Sequence, residues 1–167
     1  LNIEPDILLE HLPPDVENDL REIGSDDLNR LRCVNVVITK VSEIRPRIYE
    51  ADWCCDSCGG HTVVTQENEL ELKEPLICSG CELPGSGPGS TRFTLDSDRC
   101  TWINNQYLEI QELPERVKGS GQPSRGKVLI EGIQCNHFLP GERVTANLIP
   151  YTQAGYHRNC LLYTSDA

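Results

Sequence analysis

Four of the nine cysteines in this 167-residue chain form two C-x-x-C pairs, Cys55-Asp56-Ser57-Cys58 and Cys78-Ser79-Gly80-Cys81, with 19 residues between them. A C-x-x-C turn lets two thiolates reach one cation, and two such turns complete a tetrahedral shell; this spacing predicts a structural Zn2+ held by Cys55, Cys58, Cys78 and Cys81. Iron remains open on ligand type alone. Disulfides are the weaker alternative, because Leu1–Asp6 has neither the basic region nor the apolar core of a secretion signal. A redox pair would need a thioredoxin-like βαβ setting, which the pattern lacks. Cys54 adjoins Cys55, but the register in which Gly59 follows the second cysteine selects Cys55 and Cys58. Cys33, Cys100 and Cys135 fall in strand candidates and read as small core hydrophobes. A closed four-cysteine shell leaves no open coordination position, so the metal is expected to hold structure rather than to catalyse.

Other chemical candidates are weaker. Gly121-Gln122-Pro123-Ser124-Arg125-Gly126-Lys127-Val128 approaches a phosphate-binding loop, but Val128 offers no hydroxyl for magnesium, Pro123 lacks a backbone donor, and Leu129-Ile130-Glu131 reads as strand rather than helix. His11, His61, His137 and His157 are dispersed with no triad arrangement, although His61 lies close enough to Cys58 to be a spare ligand. Arg45-Pro46-Arg47 sits at a junction between strand candidates, where its arginines could contact phosphates or pair with Glu43 and Glu50.

The elements that must position these residues are mainly strands. Leu31–Val41 alternates apolar with polar and is rich in β-branched residues; residues 48–54, 92–95, 102–113, 127–133 and 143–149 give further strand candidates. Thr62–Thr65 and Leu70–Lys73 read as the two arms of a hairpin bearing the cysteine knuckles. Glycine- and proline-rich turns separate the strands at 83–90, 118–123 and 139–142. Residues 1–30 read as helical or irregular, with Leu8, Leu9 and Leu12 as one stripe, Val16, Leu20 and Ile23 as another, and Gly24 as a C-cap. About five antiparallel strands with one long cysteine-bearing insertion predict a small Greek-key barrel.

The formal net charge of −11 argues by default against a polyanionic partner. Its distribution changes that expectation. Residues 1–30 carry nine acids and two bases, residues 54–82 six acids and one base, residues 31–53 a net +1, and residues 83–167 eight of each sign. The acidity therefore lies in the leading segment and the cysteine insertion, while the barrel strands are balanced. No apolar run is long enough to span a membrane. The chain contains no Met, and Cys160–Ala167 can be back-translated as tgt ctc tta tac aca tct gac gct, a sequencing-adapter string. The expectation is a fragment whose natural part ends near Asn159 and whose last eight residues are adapter read-through.

Several motifs, in order, resemble the N-terminal region of minichromosome maintenance (MCM) replicative helicases. Val41-Ser42-Glu43-Ile44-Arg45-Pro46-Arg47-Ile48 is similar to that family's strand with its VRP(R/K) signature. Ala51–Gly59 and Pro75–Cys81 resemble the two sides of its zinc hairpin, and Trp102–Glu115 its F-x-D-x-Q-x-(I/L)-x-(I/L)-Q-E strand. Gly121-Gln122-Pro123 and Leu139–Thr145 resemble the later G-x-x-P and P-G-D-R-V turns. Asn104 stands where the family usually has Asp, Ser124 and Arg125 are swapped, and Gly132-Ile133-Gln134 replaces an acidic stretch. The family's next element is a basic β-hairpin, for which Tyr151–Asn159 offers only His157 and Arg158.

The resemblance covers roughly residues 15–148. It implies a mainly β chain: an OB-fold (Greek-key β-barrel) over 31–150, a four-cysteine zinc-ribbon β-hairpin inserted at 54–82, a short N-terminal helical remnant over 1–30, and the start of a β-hairpin at 151–159. It implies a fragment of an ATP-dependent DNA helicase, binding single- and double-stranded DNA and organising a hexameric ring among other replication-fork proteins. ATP and Mg2+ would belong to an ATPase domain outside this chain, so the fragment itself would have no catalytic site. Arg45 and Arg47, with Arg99, Lys127 and Arg158, would contact DNA. The implied location is intracellular, in an archaeal cytoplasm or nucleoid rather than a eukaryotic nucleus, with no membrane. The alternatives are a stand-alone OB/zinc-ribbon single-stranded-DNA-binding protein and a zinc-ribbon interaction adaptor.

Overall fold

The computed structural model describes residues 13, 16–66, 72–81, 91–117, 119, 121–152 and, for the backbone, 160–164. These form two compact units, one built from residues 1–45 and 104–167, the other from 46–103.

The first unit is a barrel. Its strands are β1 (Glu17–Asn18), β2 (Arg32–Val41), β6 (Thr101–Glu112, whose first residues belong to the second unit), β7 (Arg125–Glu131), β8 (Arg143–Thr152) and β9 (Cys160–Thr164). Strand β2 pairs antiparallel with β8, β8 with β9, β6 with β7 and β6 with β2, while β9 and β7 pair in parallel, so the circuit β2-β8-β9-β7-β6 closes on itself. Closure removes the open edges that a five-stranded sheet would otherwise present. The interior follows from period-2 alternation. Val34, Val36 and Ile38 of β2, Leu108 and Ile110 of β6, Val128 and Ile130 of β7, and Ala146 and Leu148 of β8 are all buried in one core, and Ile38 stands directly opposite Ile110. A register shift between Ile38 and Lys40 places one extra residue in β2, the usual device for bending a barrel strand. Gly141, at φ +93°, makes the tight turn into β8 that Leu139-Pro140-Gly141-Glu142 predicts.

The second unit contains β3 (Arg45–Cys55, which starts at the boundary), β4 (His61–Thr65) and β5 (Phe93–Leu95). Strand β3 pairs antiparallel with both β4 and β5.

The mainly β fold and barrel expected from the sequence are borne out, and the strands are displaced by no more than three residues at any end. Two expectations change. Val16, Leu20 and Ile23 do not build an α-helix. Glu17–Asn18 instead adds a short parallel strand to Cys33–Val34, and the 3-10 turns Leu20–Glu22 and Ser25–Asp27 follow. Local carboxylates stabilise these turns: Glu22 accepts from the Asp19 N–H and Asp27 from the Gly24 N–H, as at a capped helix end, but no run is long enough to propagate a helix. The first leucine stripe lies outside the described residues. In the cysteine insertion, Thr62–Thr65 pairs with Glu50–Trp53 of β3, not with a strand at 70–73; Leu72 and Lys73 are non-strand, and residues 70 and 71 lie outside the described set. The segment read as adapter contributes β9, between β8 and β7. Among the described residues no helix is long and apolar enough to cross a membrane.

Candidate metal centre

The turn between β3 and β4 is the first cysteine knuckle. The Cys55 N–H donates to the Gly60 carbonyl and the Gly59 N–H to the Cys55 carbonyl, each at 2.8 Å. Gly59 adopts φ +69°, a conformation that Cβ-bearing residues resist. The Gly60 N–H points at the Cys58 sulfur at 3.4 Å, and a Cβ at Gly60 would come within 3.2 Å of that sulfur. The second knuckle closes with the Cys81 N–H on the Cys78 carbonyl, at 3.2 Å.

The two knuckles bring four thiols together. The Sγ atoms of Cys55, Cys58, Cys78 and Cys81 all lie within 4.8 Å of one another; Cys55 and Cys81 are 3.8 Å apart, Cys58 and Cys78 3.6 Å. A tetrahedral shell with Zn–S bonds of about 2.3 Å has S···S edges of about 3.8 Å. The donor set therefore fits a tetrahedral, thiophilic cation in both size and chemistry. Cys55 and Cys78 are buried, Cys81 is half-buried and Cys58 is exposed. Burial, reinforced by the hydrogen bond with Cys58, pushes the Cys78 thiol above its ordinary value. That fits a group that favours ionisation only against a cation.

Nearby groups hold the knuckles. Gln66, fully buried, spans the insertion: its Nε2 donates to the Val64 and Lys73 carbonyls at 3.0 Å each, and its Oε1 accepts the Lys73 N–H at 2.6 Å. One side chain thus supplies, for residue 73, the backbone pairing that a strand there would have made. Asp52, also buried, meets His61 Nδ1 at 2.6 Å and Arg99 Nε at 3.3 Å. This engages the histidine that the sequence offered as a spare ligand. Neither Gln66 nor Asp52 stands out in sequence, because a polar residue on an alternating strand reads as solvent-facing.

The basic candidates fall in both units. Arg45 is exposed, and Lys127, on β7, is half-buried. Arg47 donates to the Gln66 carbonyl at 2.9 Å and lies over the Tyr49 ring, 6.0 Å from its centroid. Arg99 is drawn to Asp52, and Arg158 lies outside the described residues. Arg45 and Lys127 belong to the first unit, Arg47 and Arg99 to the second. Cys135 is buried in the barrel core and Cys100 bridges the Asp52 N–H and the Asp96 carbonyl, so both serve as structural thiols. The stretch that imitates a phosphate loop runs into β7, as its residues predict.

Comparison with known proteins places this arrangement. A family model described as the MCM OB domain matches residues 19–151. The chain is 28% identical over 130 residues to the minichromosome maintenance protein MCM of Saccharolobus solfataricus, covering 75% of this chain and 18% of that protein. It is 26% identical over 127 residues to the DNA replication licensing factor MCM4 of Oryza sativa subsp. japonica, covering 75% and 14%. With the licensing factor mcm7 of Xenopus tropicalis it shares 27% identity over 142 residues, covering 83% and 19%. A crystal structure of the N-terminal domain of an archaeal MCM superposes with a TM-score of 0.75 at 27% identity, over 91% of this chain and 61% of that one. The chain spans less than a fifth of the length of these curated relatives. With the family model covering most of its length, the chain belongs to the MCM OB domain family.

Proposed function

We propose that this chain is the N-terminal DNA-binding and ring-organising part of an MCM-type, ATP-dependent replicative DNA helicase. The observation that carries the proposal is a closed five-stranded barrel joined to a four-thiol centre within one family match. Cys55, Cys58, Cys78 and Cys81 would hold a structural Zn2+, which would supply folding energy to a unit with little core of its own. ATP and Mg2+ would act in a separate domain of the longer parent, and hexamer assembly and contact with other replication-fork proteins would likewise be properties of that parent. The work would take place inside the cell, in an archaeal cytoplasm or nucleoid.

DNA contact would come chiefly from Arg45 and Arg47, with Arg99, Lys127 and Arg158 contributing. Supporting this, Arg45 is exposed at the start of β3 and the barrel strands carry no net acidity. The test is fluorescence anisotropy of labelled single- and double-stranded oligonucleotides over a salt series. Binding should weaken linearly with the logarithm of salt, and the Arg45→Ala/Arg47→Ala double variant should bind more weakly with a shallower slope. Unchanged affinity in that variant would remove the proposed DNA face. Elemental analysis should return one Zn per chain.

A further inference from the structure

Trp102, at the start of β6, is 52% exposed, although indole is costly to leave in water. Its place in the sheet can be read from its neighbours, all within residues 46–103. Arg47 lies over the ring of Tyr49, so these two project from the same face of β3. Glu50 alternates to the other face, where its Oε2 accepts a hydrogen bond from the Thr101 hydroxyl at 3.0 Å. Strands β6 and β3 are hydrogen-bonded neighbours in the sheet, so Thr101 shares the Glu50 face, and Trp102, next along β6, shares the face of Arg47 and Tyr49. The sheet thus separates its chemistry. Glu50 and Asp52 project on one side; a guanidinium, a phenol and a half-exposed indole project on the other. The guanidinium is fixed in place, since it also donates to the Ile48 and Gln66 carbonyls.

We infer that Trp102, with Tyr49 and Arg47 on the same face, is a base-stacking platform for single-stranded nucleic acid. The inference rests on the DNA-binding reading above and adds a non-ionic contact that net charge does not reveal. An indole face stacks on any base, and an adjacent guanidinium favours both the base and its phosphate. The two acids of β3, Glu50 and Asp52, face away from this surface.

The test uses the full 167-residue chain and a fluorescein-labelled oligothymidylate over a salt series. Trp102→Ala should weaken binding between about fivefold and a hundredfold with an unchanged salt slope, whereas Trp102→Phe should stay within about threefold of the parent. In the unaltered chain, saturating oligothymidylate should abolish the iodide-quenchable part of the tryptophan emission, because Trp53 is buried and Trp102 is not. This second measurement needs no variant to fold. Parent-like affinity of Trp102→Ala, or an undiminished iodide-quenchable fraction at saturation, would overturn the platform while leaving the arginine-based DNA reading in place. A parent chain that binds no oligonucleotide at low salt would overturn both. Reduced self-association of Trp102→Ala with unchanged DNA affinity would also overturn the platform and assign the indole to a protein contact.

Discussion

Arg21 and Glu112, 91 residues apart, meet in a bidentate ion pair, with Nε to Oε1 at 2.7 Å and Nη2 to Oε2 at 2.6 Å. The Glu112 side chain is 1% exposed and also accepts the Ser124 N–H at 3.3 Å, so it joins the 3-10 turn at Leu20–Glu22, the end of β6 and the approach to β7. The carboxylate raises the Arg21 guanidinium above its already high ordinary value. A buried carboxylate is tolerated only while its cation is present. Arg21→Ala should therefore lower the urea midpoint more than Glu112→Gln does, and Arg21→Leu/Glu112→Leu should recover part of the loss. A double variant whose loss equals the sum of the two single losses would show that the pair carries no net coupling.

Metal removal should affect the two units unequally. Both tryptophans, Trp53 and Trp102, lie within residues 46–103, so tryptophan emission reports on the cysteine-bearing unit alone. Trp53 is 5% exposed and shares β3 with Cys55. A chelator, or Cys78→Ser, should shift the emission to the red as Trp53 meets water, while slow amide exchange persists at Val36, Ile110 and Ile130 of the barrel. Simultaneous loss of both signals would mean that the two units unfold as one.

Strand β2 was legible because β-branched residues alternate with polar ones along Leu31–Val41, and β6, β7 and β8 because apolar stretches lie between glycine- and proline-rich turns, signals that need no knowledge of partners. The cysteine spacing was legible for a similar reason, since a knuckle is local. Partnership was not legible. Thr62–Thr65 looks equally ready to pair with either neighbour, and the five-residue turn 56–60 takes it to β3. Val16, Leu20 and Ile23 carry helical spacing, but β2 offers an edge to Glu17–Asn18 and only Leu20 of the three is fully buried in the core. Glu112 reads as a solvated charge until Arg21 arrives from 91 residues away. Gln66 and Asp52 were missed for the same reason: burial of a polar side chain is decided by distant backbone, not by its own neighbourhood.

Acid should loosen the leading segment through Asp27. The Gly24 N–H, at 2.8 Å, and the Arg32 guanidinium, at 2.7 Å, hold this carboxyl below the ordinary 3.8. A depressed folded-state value contributes stability that is fully present above the unfolded-state value and is lost as pH falls through the folded one. Glu115 is lowered too, first by its own backbone N–H and then by Arg143, and adds to the same limb. Asp27→Asn should flatten the decline of the urea midpoint below about pH 4 and leave its shape above about pH 6 unchanged. A steeper acid limb in the variant would reverse the sign assigned here.

Gln66 gives the sharpest separation of packing from pairing. It is 1% exposed, and three hydrogen bonds join its amide to the backbone of residues 64 and 73. Gln66→Ala removes the partner of the Lys73 N–H and a donor to each of the Lys73 and Val64 carbonyls, of which Val64 remains paired with Ala51 in the β3–β4 ladder, and each polar group left unmatched costs roughly 1–3 kcal/mol, less whatever water recovers. A net loss of about 2–4 kcal/mol is expected, localised to residues 46–103. Gln66→Glu keeps the acceptor for Lys73 but loses both donations to carbonyls, so it should be nearly as damaging near neutral pH and improve as acid protonates it. Gln66→Leu keeps volume without pairing and should resemble Gln66→Ala. If Gln66→Leu instead matched the parent in urea midpoint and in zinc retention under chelator, the side chain would be filling space and the closure of the insertion would rest on the knuckles alone.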